Sequence, residues 1–341
     1  MTVSDADVLV RRQGRIGRIT LQRPKAINAL TLGMLQSVAG ALDAWDGDAD
    51  IRAVLIDGAG ERGFCAGADL RALADSIRTG DPGAADRFMA FEYRLNARIA
   101  HYPKPYVALM DGVVMGGGVG LSAHGSVRIV TERTRLAMPE VGIGLLADVG
   151  GTYLLSRTPG ELGTHLALTG ESIEAADAML CGLADRHVAA DRLPALIDAL
   201  TACDDAAAIE ACVADHASPP APGRLAASAD WILACHGADD VPAILAALRN
   251  HPDAGAQAAA RRIAGNCPTS LAVTLRALRD GRRLGRLEPC LEQEYRLVTG
   301  LMRRPDFLEG IRAAIIDKDR TPSWQPAGPY SFPAVVPGLF D

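Results

Sequence analysis

In the N-terminal part of the chain, short apolar runs alternate with stretches whose apolar residues recur at helical spacing. Each run has the length of a strand and ends in glycine or polar residues. We predict strands within 7–22 (two strands with a turn at Gln13-Gly14), 53–60, 106–112, 126–132 and 186–190, and a helix near 31–46. Because strands separated by helices need crossover connections, the pattern indicates an α/β fold with a largely parallel sheet.

From about residue 192 the pattern changes to helical spacing, and no convincing strand follows. Pro and Gly separate five helix-like stretches: DRLPALIDAL, DVPAILAALRN, AGAQAAARRIAG, SLAVTLRALRDGRRLG and EPCLEQEYRLVTGLM. The clearest linker is SPPAPG at 218–223, and the tail from 321 is Pro-rich and irregular. We therefore predict an α/β core over 1–200, and a C-terminal helical region with an irregular tail over 201–341.

Composition narrows the class of protein. Hydrophobic residues make up 49% of the 341 residues, which is enough for a sizeable core. The net charge is -6, and charges of both signs are mixed along the chain. The sequence therefore lacks the basic stripe that is typical of a nucleic-acid-binding protein. No apolar run approaches the length of about 18 residues that a membrane span needs, and the N-terminus has no secretory leader. The seven cysteines are scattered without a CxxC pair, which favours reduced cysteines in the cytoplasm and no zinc site.

Two glycine-rich turns follow predicted strands. ERGFCAGADL comes after the strand in 53–60, and VVMGGGVGLSAH comes after the strand in 106–112. We predict that helices begin around 67–69 and 116–118. Because helix N-termini present unpaired N–H groups, two of them side by side can direct two N–H groups at one oxygen, as in an oxyanion hole for acyl chemistry. Either motif alone is also common at strand–helix turns and in tight helix packing.

The segment MPEVGIGLLADVGG, residues 138–151, places two acids, Glu140 and Asp148, in an apolar, glycine-rich setting. An unpaired carboxylate is costly to remove from water. Two interpretations follow: both acids reach a partner or water at the edge of the core, or they line a site.

Taken together, these motifs resemble the crotonase superfamily of acyl-CoA enzymes. The resemblance is carried by GFCAGADL (63–70), MGGGVGLSAHG (115–125) and MPEVGIGLLADVGGTYLLSR (138–157), and RPKAINAL (23–30) is similar to the family's first strand–helix junction. Within the superfamily, the chain is most similar to the 3-hydroxyisobutyryl-CoA hydrolase branch, in FEYRLNARIAHYPKPYVALMDG, LALTGESIEAADAMLCGLADRHV and DFLEGIRAAIIDKDRTPSW. The resemblance implies an α/β fold with a crotonase-like ββα spiral core and a C-terminal helical region.

The resemblance also implies where the substrate binds. The backbone N–H groups of Ala68 and Gly117 would form the oxyanion hole for the thioester carbonyl. Coenzyme A would run along Lys25, Ala26 and Ala66. Coenzyme A is then part of the substrate, and neither a separate cofactor nor a metal is implied.

The acidic residues of these motifs distinguish the hydratase branch of the superfamily from the hydrolase branch. Hydratases use two glutamates, and Gly120 stands where the first would be in a GGGxE pattern, whereas Glu140 matches the second. Asp148 stands where hydratases tend to have glycine, and this exchange resembles the hydrolase branch. Glu140 would then act as a general base or attack directly to give a mixed anhydride. Asp148 would bind the substrate's 3-hydroxyl, or place water and protonate the leaving thiolate. Glu92 would bind substrate, unless it is only a solvated position on a helix.

The leading hypothesis is therefore hydrolysis of a short branched 3-hydroxyacyl-CoA thioester, of the 3-hydroxyisobutyryl-CoA type, as in valine breakdown. An enoyl-CoA hydratase or isomerase and a non-catalytic acyl-CoA-binding protein are the alternatives. The expected partner is the acyl-CoA substrate, with neither nucleic acid nor membrane, and a homo-oligomer is left open. Lys318 lies in a position either to contact CoA phosphates or to form a surface salt bridge. The expected location is cytoplasmic.

Overall fold

The computed structural model describes residues 3–5 and 7–326, and the chain divides into two compact units. Unit 1 is assembled from Met1–Ala68, Arg94–Leu136 and Ile173–Gly223. Unit 2 is assembled from Asp69–Tyr93, Ala137–Ser172 and, from Arg224 onwards, the C-terminal part of the described chain. The predicted irregular tail begins with 321–326, which form neither helix nor strand, and from residue 327 it lies outside the described residues.

The described residues form ten strands in two sheets. The strands are β1 (Val3–Asp5), β2 (Val8–Gln13), β3 (Ile16–Leu21), β4 (Ala53–Gly58), β5 (Gly63–Cys65), β6 (Tyr106–Met110), β7 (Val113–Met115), β8 (Val127–Val130), β9 (Arg135–Ala137) and β10 (Arg186–His187). The larger sheet has the order β1-β2-β3-β4-β6-β8-β10 and the smaller one has the order β5-β7-β9. The pairs β1–β2 and β2–β3 are antiparallel, and from β3 to β10 every pair of the larger sheet is parallel. The prediction of an α/β fold with a largely parallel sheet is confirmed.

Local sequence explains the predicted strands. The turn between β2 and β3 is shifted by one residue from the prediction, because Gln13 pairs with Ile16 and leaves Gly14 and Arg15 as the loop. Gly14 has φ +58, a conformation that glycine adopts without strain. The strands of the smaller sheet were not predicted, because three residues are too few to show an alternating pattern.

Fifteen α-helices are described: α1 (Leu32–Asp46), α2 (Leu70–Arg78), α3 (Pro82–Ala100), α4 (Gly117–Ser122), α5 (Gly151–Leu155), α6 (Leu162–Thr169), α7 (Ala175–Leu180), α8 (Leu193–Leu200), α9 (Ala206–His216), α10 (Leu225–His236), α11 (Val241–Asn250), α12 (Ala254–Gly265), α13 (Pro268–Leu284), α14 (Leu287–Met302) and α15 (Pro305–Ile311). α1 begins where predicted, because the Thr31 side chain accepts the Met34 N–H and caps the helix. The five C-terminal helix-like stretches are confirmed as α8, α11, α12, α13 and α14. No helix of the described chain is long and apolar enough to cross a membrane.

The core of unit 1 lies between the larger sheet and the helices α8 and α9. Its buried side chains come from the strands and from both helices: Ile16, Ala53, Leu55, Val107, Leu109, Ile129, Val188, Leu193, Leu196, Ile197, Leu200, Cys203, Ile209 and Val213. Apolar burial of this kind stabilises the fold by roughly 25 cal/mol for each Å² removed from water. The sheet and its two covering helices therefore form one hydrophobic unit.

Candidate active site

In unit 1, the two glycine-rich turns approach each other closely. Gly67 has φ +94, and a Cβ added to it would lie 3.4 Å from the Gly117 nitrogen. Gly117 is the first residue of α4, where a helix leaves its N–H groups unpaired. Among the described residues, the N–H groups of Ala68 and Gly117 have no hydrogen-bond acceptor. The geometry thus leaves two free backbone donors on neighbouring turns.

A second glycine makes this approach sterically feasible. A Cβ on Gly118 would lie 2.5 Å from the Cys65 carbonyl oxygen, which is closer than real Cβ atoms come to such an atom. α4 therefore packs directly against the backbone at the end of β5. Any larger residue at position 118 would push the two turns apart.

The three residues expected along coenzyme A occupy two segments of unit 1 that are joined by a hydrogen bond. Lys25 and Ala26 lie on a short 3-10 helix, Pro24–Ala26, and both are exposed. Ala66 is half-buried, and its N–H donates to the Ile27 carbonyl at 2.9 Å. Lys318 is exposed and belongs to unit 2.

Asn28 fixes these segments of unit 1 from inside. Its side chain is fully buried, and its Oδ1 accepts the Arg23 N–H at 2.8 Å. Its Nδ2 faces the carbonyl oxygens of Ala59, Gly63 and Phe64 at 3.0 to 3.2 Å. This amide therefore ties the loop before α1 to the strand that leads into the FCAG turn.

In unit 2, Glu140 and Asp148 are each only 6% exposed. Glu140 begins a 3-10 helix, Glu140–Ile143, which ends at Gly144 in the left-handed conformation. Its Oε2 is buried and has no hydrogen-bond partner among the described residues. Asp148 accepts a hydrogen bond from the Tyr93 hydroxyl on Oδ2, at 2.5 Å. One acid is thus held by a donor, while the other keeps an unsatisfied oxygen.

Burial raises the pKa of both acids, and the charge of Asp148 raises the pKa of Glu140 further. Burial, followed by the charge of Asp148, raises the pKa of Glu140 well above its usual value. Burial raises the pKa of Asp148 to about 6, against the opposing effect of the hydrogen bond from Tyr93. Two neighbouring acids whose environments differ in this way can hold different protonation states near neutral pH, which acid–base chemistry requires.

Glu92, on α3, is a third acid of this group in unit 2. It is 1% exposed, so the interpretation of a solvated helix position is wrong. Its Oε1 lacks a partner within the described part of the chain. Burial and the charge of Asp148 raise the pKa of Glu92 well above its usual value.

Sequence reasoning missed a fourth buried acid, Glu294 on α14. Its carboxylate accepts the N–H groups of Gly150 and Thr152 at 2.7 and 2.8 Å, and also the Thr152 hydroxyl. Burial raises the pKa of Glu294 to about 8. One signal was present in the sequence: Glu294 lies at helical spacing from Leu291 and Val298, on an apolar face where an acid is unusual.

Gly120, which stands at the expected position of the first glutamate in a GGGxE pattern, lies in α4. Gly120 is buried there with the other residues of the helix, so no carboxylate projects from this turn. Within 3–5 and 7–326, no group of three or more His, Cys, Asp or Glu side chains is arranged to hold a metal ion.

Comparisons with known proteins agree on a family. The family model described as enoyl-CoA hydratase/isomerase matches residues 16–334. A curated relative named 3-hydroxyisobutyryl-CoA hydrolase, mitochondrial, from Xenopus tropicalis is 42% identical over 333 residues, which cover 95% of this chain and 86% of the relative. The protein of the same name from Homo sapiens is 39% identical over 328 residues, covering 94% of this chain and 84% of the relative.

Solved structures give the same fold under different activity names. A structure titled as a carnitinyl-CoA dehydratase from Mycobacterium thermoresistibile has a TM-score of 0.90 and 49% identity, covering 95% of this chain and 93% of its own. One titled as an enoyl-CoA hydratase from Rhodobacter sphaeroides has a TM-score of 0.86 and 43% identity, covering 94% and 92%.

The predicted cytoplasmic location is wrong, because the curated relatives are named mitochondrial. The prediction rested on the cysteines, and all seven are indeed free thiols. Free thiols indicate a reducing compartment, and the cytoplasm is only one such compartment. Cysteine usage therefore could not distinguish the cytoplasm from another reducing compartment.

Proposed function

Because the chain belongs to the enoyl-CoA hydratase/isomerase family, we propose that it hydrolyses a short branched 3-hydroxyacyl-CoA thioester of the 3-hydroxyisobutyryl-CoA type to the free acid and CoA. The predicted resemblance to the crotonase superfamily and its fold class are confirmed. The observation that carries the proposal is the pair of buried acids in unit 2, Glu140 and Asp148, together with glycine at position 120. The shared name of the curated relatives supports the same reaction.

The proposed reaction begins at the carbonyl. The N–H groups of Ala68 and Gly117 would donate to the thioester oxygen and stabilise the negative charge that develops when the carbonyl is attacked. Donors that are already fixed in place need no reorganisation at that moment, which is the physical advantage of backbone groups on tight turns.

Glu140 supplies the base or the nucleophile. As a base, its carboxylate takes a proton from water, the resulting hydroxide adds to the carbonyl carbon, and the C–S bond breaks to release CoA thiolate. As a nucleophile, it forms a mixed anhydride that water then cleaves. Both routes consume one water and give one acid and one thiol. The raised pKa of Glu140 makes it a stronger base than an exposed glutamate.

Asp148 and Glu92 are the candidates for substrate orientation. Asp148, fixed by the Tyr93 hydroxyl, would accept a hydrogen bond from the substrate's 3-hydroxyl, or place water and return a proton to the leaving thiolate. The free Oε1 of Glu92 supports a role in binding a polar group of the acyl chain.

Coenzyme A enters the proposal as part of the substrate, without a separate cofactor. It would lie along Lys25, Ala26 and Ala66, whose segments are joined by the hydrogen bond from Ala66 to Ile27. The expected molecular partner is therefore the acyl-CoA. A role in valine breakdown and a homo-oligomeric state stay predictions.

The second candidate is an enoyl-CoA hydratase, dehydratase or isomerase. The activity names of the two similar solved structures, which are 49% and 43% identical to this chain, favour it. An isomerase needs a single base, and Glu140 would suffice. Hydration with a pair of glutamates is disfavoured by Gly120, which carries no side chain.

The two candidates differ in product. We would follow thiol release from (S)-3-hydroxyisobutyryl-CoA, and in parallel the loss of enoyl absorbance with crotonyl-CoA. The wild type should release thiol, and Glu140→Gln, which keeps the shape but cannot take a proton, should lower kcat by about a thousandfold. Asp148→Asn should also lose most of the activity. Turnover of crotonyl-CoA without thiol release would instead favour the second candidate.

A further inference from the structure

Helix α14 carries two neighbouring residues that act on the Asp148 turn within unit 2. Glu294 accepts hydrogen bonds from Gly150 and Thr152, which immediately follow the turn, although 144 residues separate it from Gly150 in the chain. Tyr295 packs edge-on against the Tyr93 ring, with ring centroids 6.3 Å apart. Tyr93 in turn donates its hydroxyl to Asp148. One helix thus contacts the residues that follow Asp148 and the tyrosine that donates to its side chain.

The turn that follows Asp148 has a backbone conformation that is unfavourable for a β-branched residue. Val149 has φ +52 and Gly150 has φ +80, so two successive residues are left-handed. This conformation suits glycine, but a β-branched residue such as Val149 adopts it only when the surroundings enforce it. The Gly151 N–H closes the turn on the Asp148 carbonyl at 2.6 Å. Contacts from the rest of unit 2 therefore help to hold the turn in this conformation.

Glu294 restrains the turn through such contacts. Its two oxygens receive three donors, the N–H of Gly150, the N–H of Thr152 and the Thr152 hydroxyl. Because each of these three groups is a hydrogen-bond donor, the site suits a carboxylate better than a side chain that itself donates. The three hydrogen bonds favour the ionised form and oppose the effect of burial on the pKa of Glu294, which is about 8. A fully buried acid that makes them is costly to replace, which suits a fixed anchor.

We propose that Glu294 is a positioning residue that holds Asp148 in its working orientation. The inference rests on the proposed function, in which Asp148 contacts the substrate or the attacking water. Both oxygens of Glu294 are occupied by donors of Gly150 and Thr152, so it would act through Asp148. Its loss should release the 148–152 turn, move Asp148 and reduce kcat, because small displacements of a catalytic group have large effects on rate.

Hydrogen exchange tests the restraint independently of activity. Glu294→Gln replaces one acceptor oxygen by an NH₂ group, which cannot accept an N–H. We expect faster amide exchange at Gly150 and Thr152 in the folded variant, measured on peptides that cover 147–153. The matched control is Glu292→Gln, the same substitution on the same helix, because the Glu292 side chain is paired with Arg296 instead. Unchanged exchange in Glu294→Gln would overturn the inference.

A double-mutant cycle tests whether Glu294 acts through Asp148. Glu294→Gln should lower kcat for thiol release by about ten- to a hundredfold in the wild-type background. In the Asp148→Asn background it should change kcat by less than about twofold, because the group that it positions is already lost. Equal losses in both backgrounds would indicate a merely structural role and overturn the inference. Thr152→Val, compared with Thr152→Ser, offers a milder change if Glu294→Gln does not fold.

The two proposals fail in distinguishable ways. If the wild type releases no thiol from any 3-hydroxyacyl-CoA, the proposed function is wrong, while the exchange measurement still decides whether Glu294 holds the turn. If the wild type releases thiol but the cycle is additive, the function stands and the positioning role is wrong.

Discussion

At the scale of single residues, the candidate site of unit 2 is defined by four buried acids. Within the described part of the chain, Glu92 and Glu140 each keep an oxygen without a hydrogen-bond partner, and Asp148 and Glu294 accept hydrogen bonds from neutral donors. An unsatisfied buried polar group costs about 1–3 kcal/mol. These buried acids therefore lower the stability of the folded state, which is typical of a functional site and not of a purely structural segment.

The pH dependence of activity depends on Tyr93. Its hydrogen bond opposes the effect of burial on the pKa of Asp148, which is about 6 with both effects acting. Tyr93→Phe removes that bond, so the pKa of Asp148 should rise, and the acid limb of kcat/KM should move to higher pH. Tyr102→Phe is the control, because its hydroxyl donates to the Leu42 carbonyl of unit 1. An acid limb that stays in place in Tyr93→Phe would show that ionisation of Asp148 does not govern the rate.

Asp148 should also cost stability at neutral pH. Its folded pKa of about 6 lies above its ordinary value of 3.8, so the native state binds more protons between these values. The stability that the protonated form contributes is complete below about pH 4 and is lost as the pH rises through 6. Asp148→Asn cannot lose a proton, so it should be more stable than the wild type at pH 8 by about 2–3 kcal/mol.

Urea unfolding at pH 8 and near pH 4.5 measures this difference. The advantage of Asp148→Asn should fall to about a third of its size at the lower pH, because the unfolded and folded pKa values of Asp148 lie on either side of pH 4.5. An advantage of equal size at both pH values would mean that packing, and not ionisation, causes it.

At the scale of elements, the sequence predicted those strands and helices whose positions depend on neighbouring residues. The strand from 53 and the helix from 31 follow from a continuous apolar run and from the Thr31 cap. Helices α9 and α10 were not predicted, because their apolar residues are spread around the helix instead of along one face. The beginnings of α2 and α4 were predicted from glycine turns, but their close approach depends on contacts that no periodicity encodes.

The contact between α4 and β5 can be tested by adding one methyl group. Gly118→Ala would place a Cβ 2.5 Å from the Cys65 carbonyl oxygen, and we expect it to destabilise the fold by about 1–3 kcal/mol. The same substitution at Gly40, an exposed position in α1 with nothing within 4 Å, should stabilise by about 0.5–1 kcal/mol. Thermal unfolding of both variants checks the opposite signs; two equal shifts would contradict the steric argument.

At the scale of the whole molecule, each unit is assembled from three separate stretches of chain. A domain boundary at residue 200 is a prediction from the change of pattern there. The core of unit 1 draws on Ile209 and Val213 as well as on Leu196, so apolar contacts continue beyond that residue.

A fragment that ends at residue 200 tests this boundary. It lacks α9, which covers part of the sheet, and it lacks the chain from Arg224 that completes unit 2. We expect the fragment to unfold without a cooperative transition in urea, in contrast to the full chain. A sharp transition, with native-like amide protection in the strands, would support an independent domain over 1–200.

The sequence by itself determined the parts of this protein that depend on neighbours in the chain. Apolar runs, the Thr31 cap and glycine turns act over a few residues, so the main strands, the C-terminal helices and the family motifs were all readable. Tertiary structure decided which distant residues meet. Glu294 reaches the Asp148 turn across 144 residues, and burial converts Glu92, Glu140 and Asp148 from ordinary acids into groups with raised pKa values. Desolvation and long-range hydrogen bonds exist only after the chain has folded, and for that reason they leave no periodic signal in the sequence.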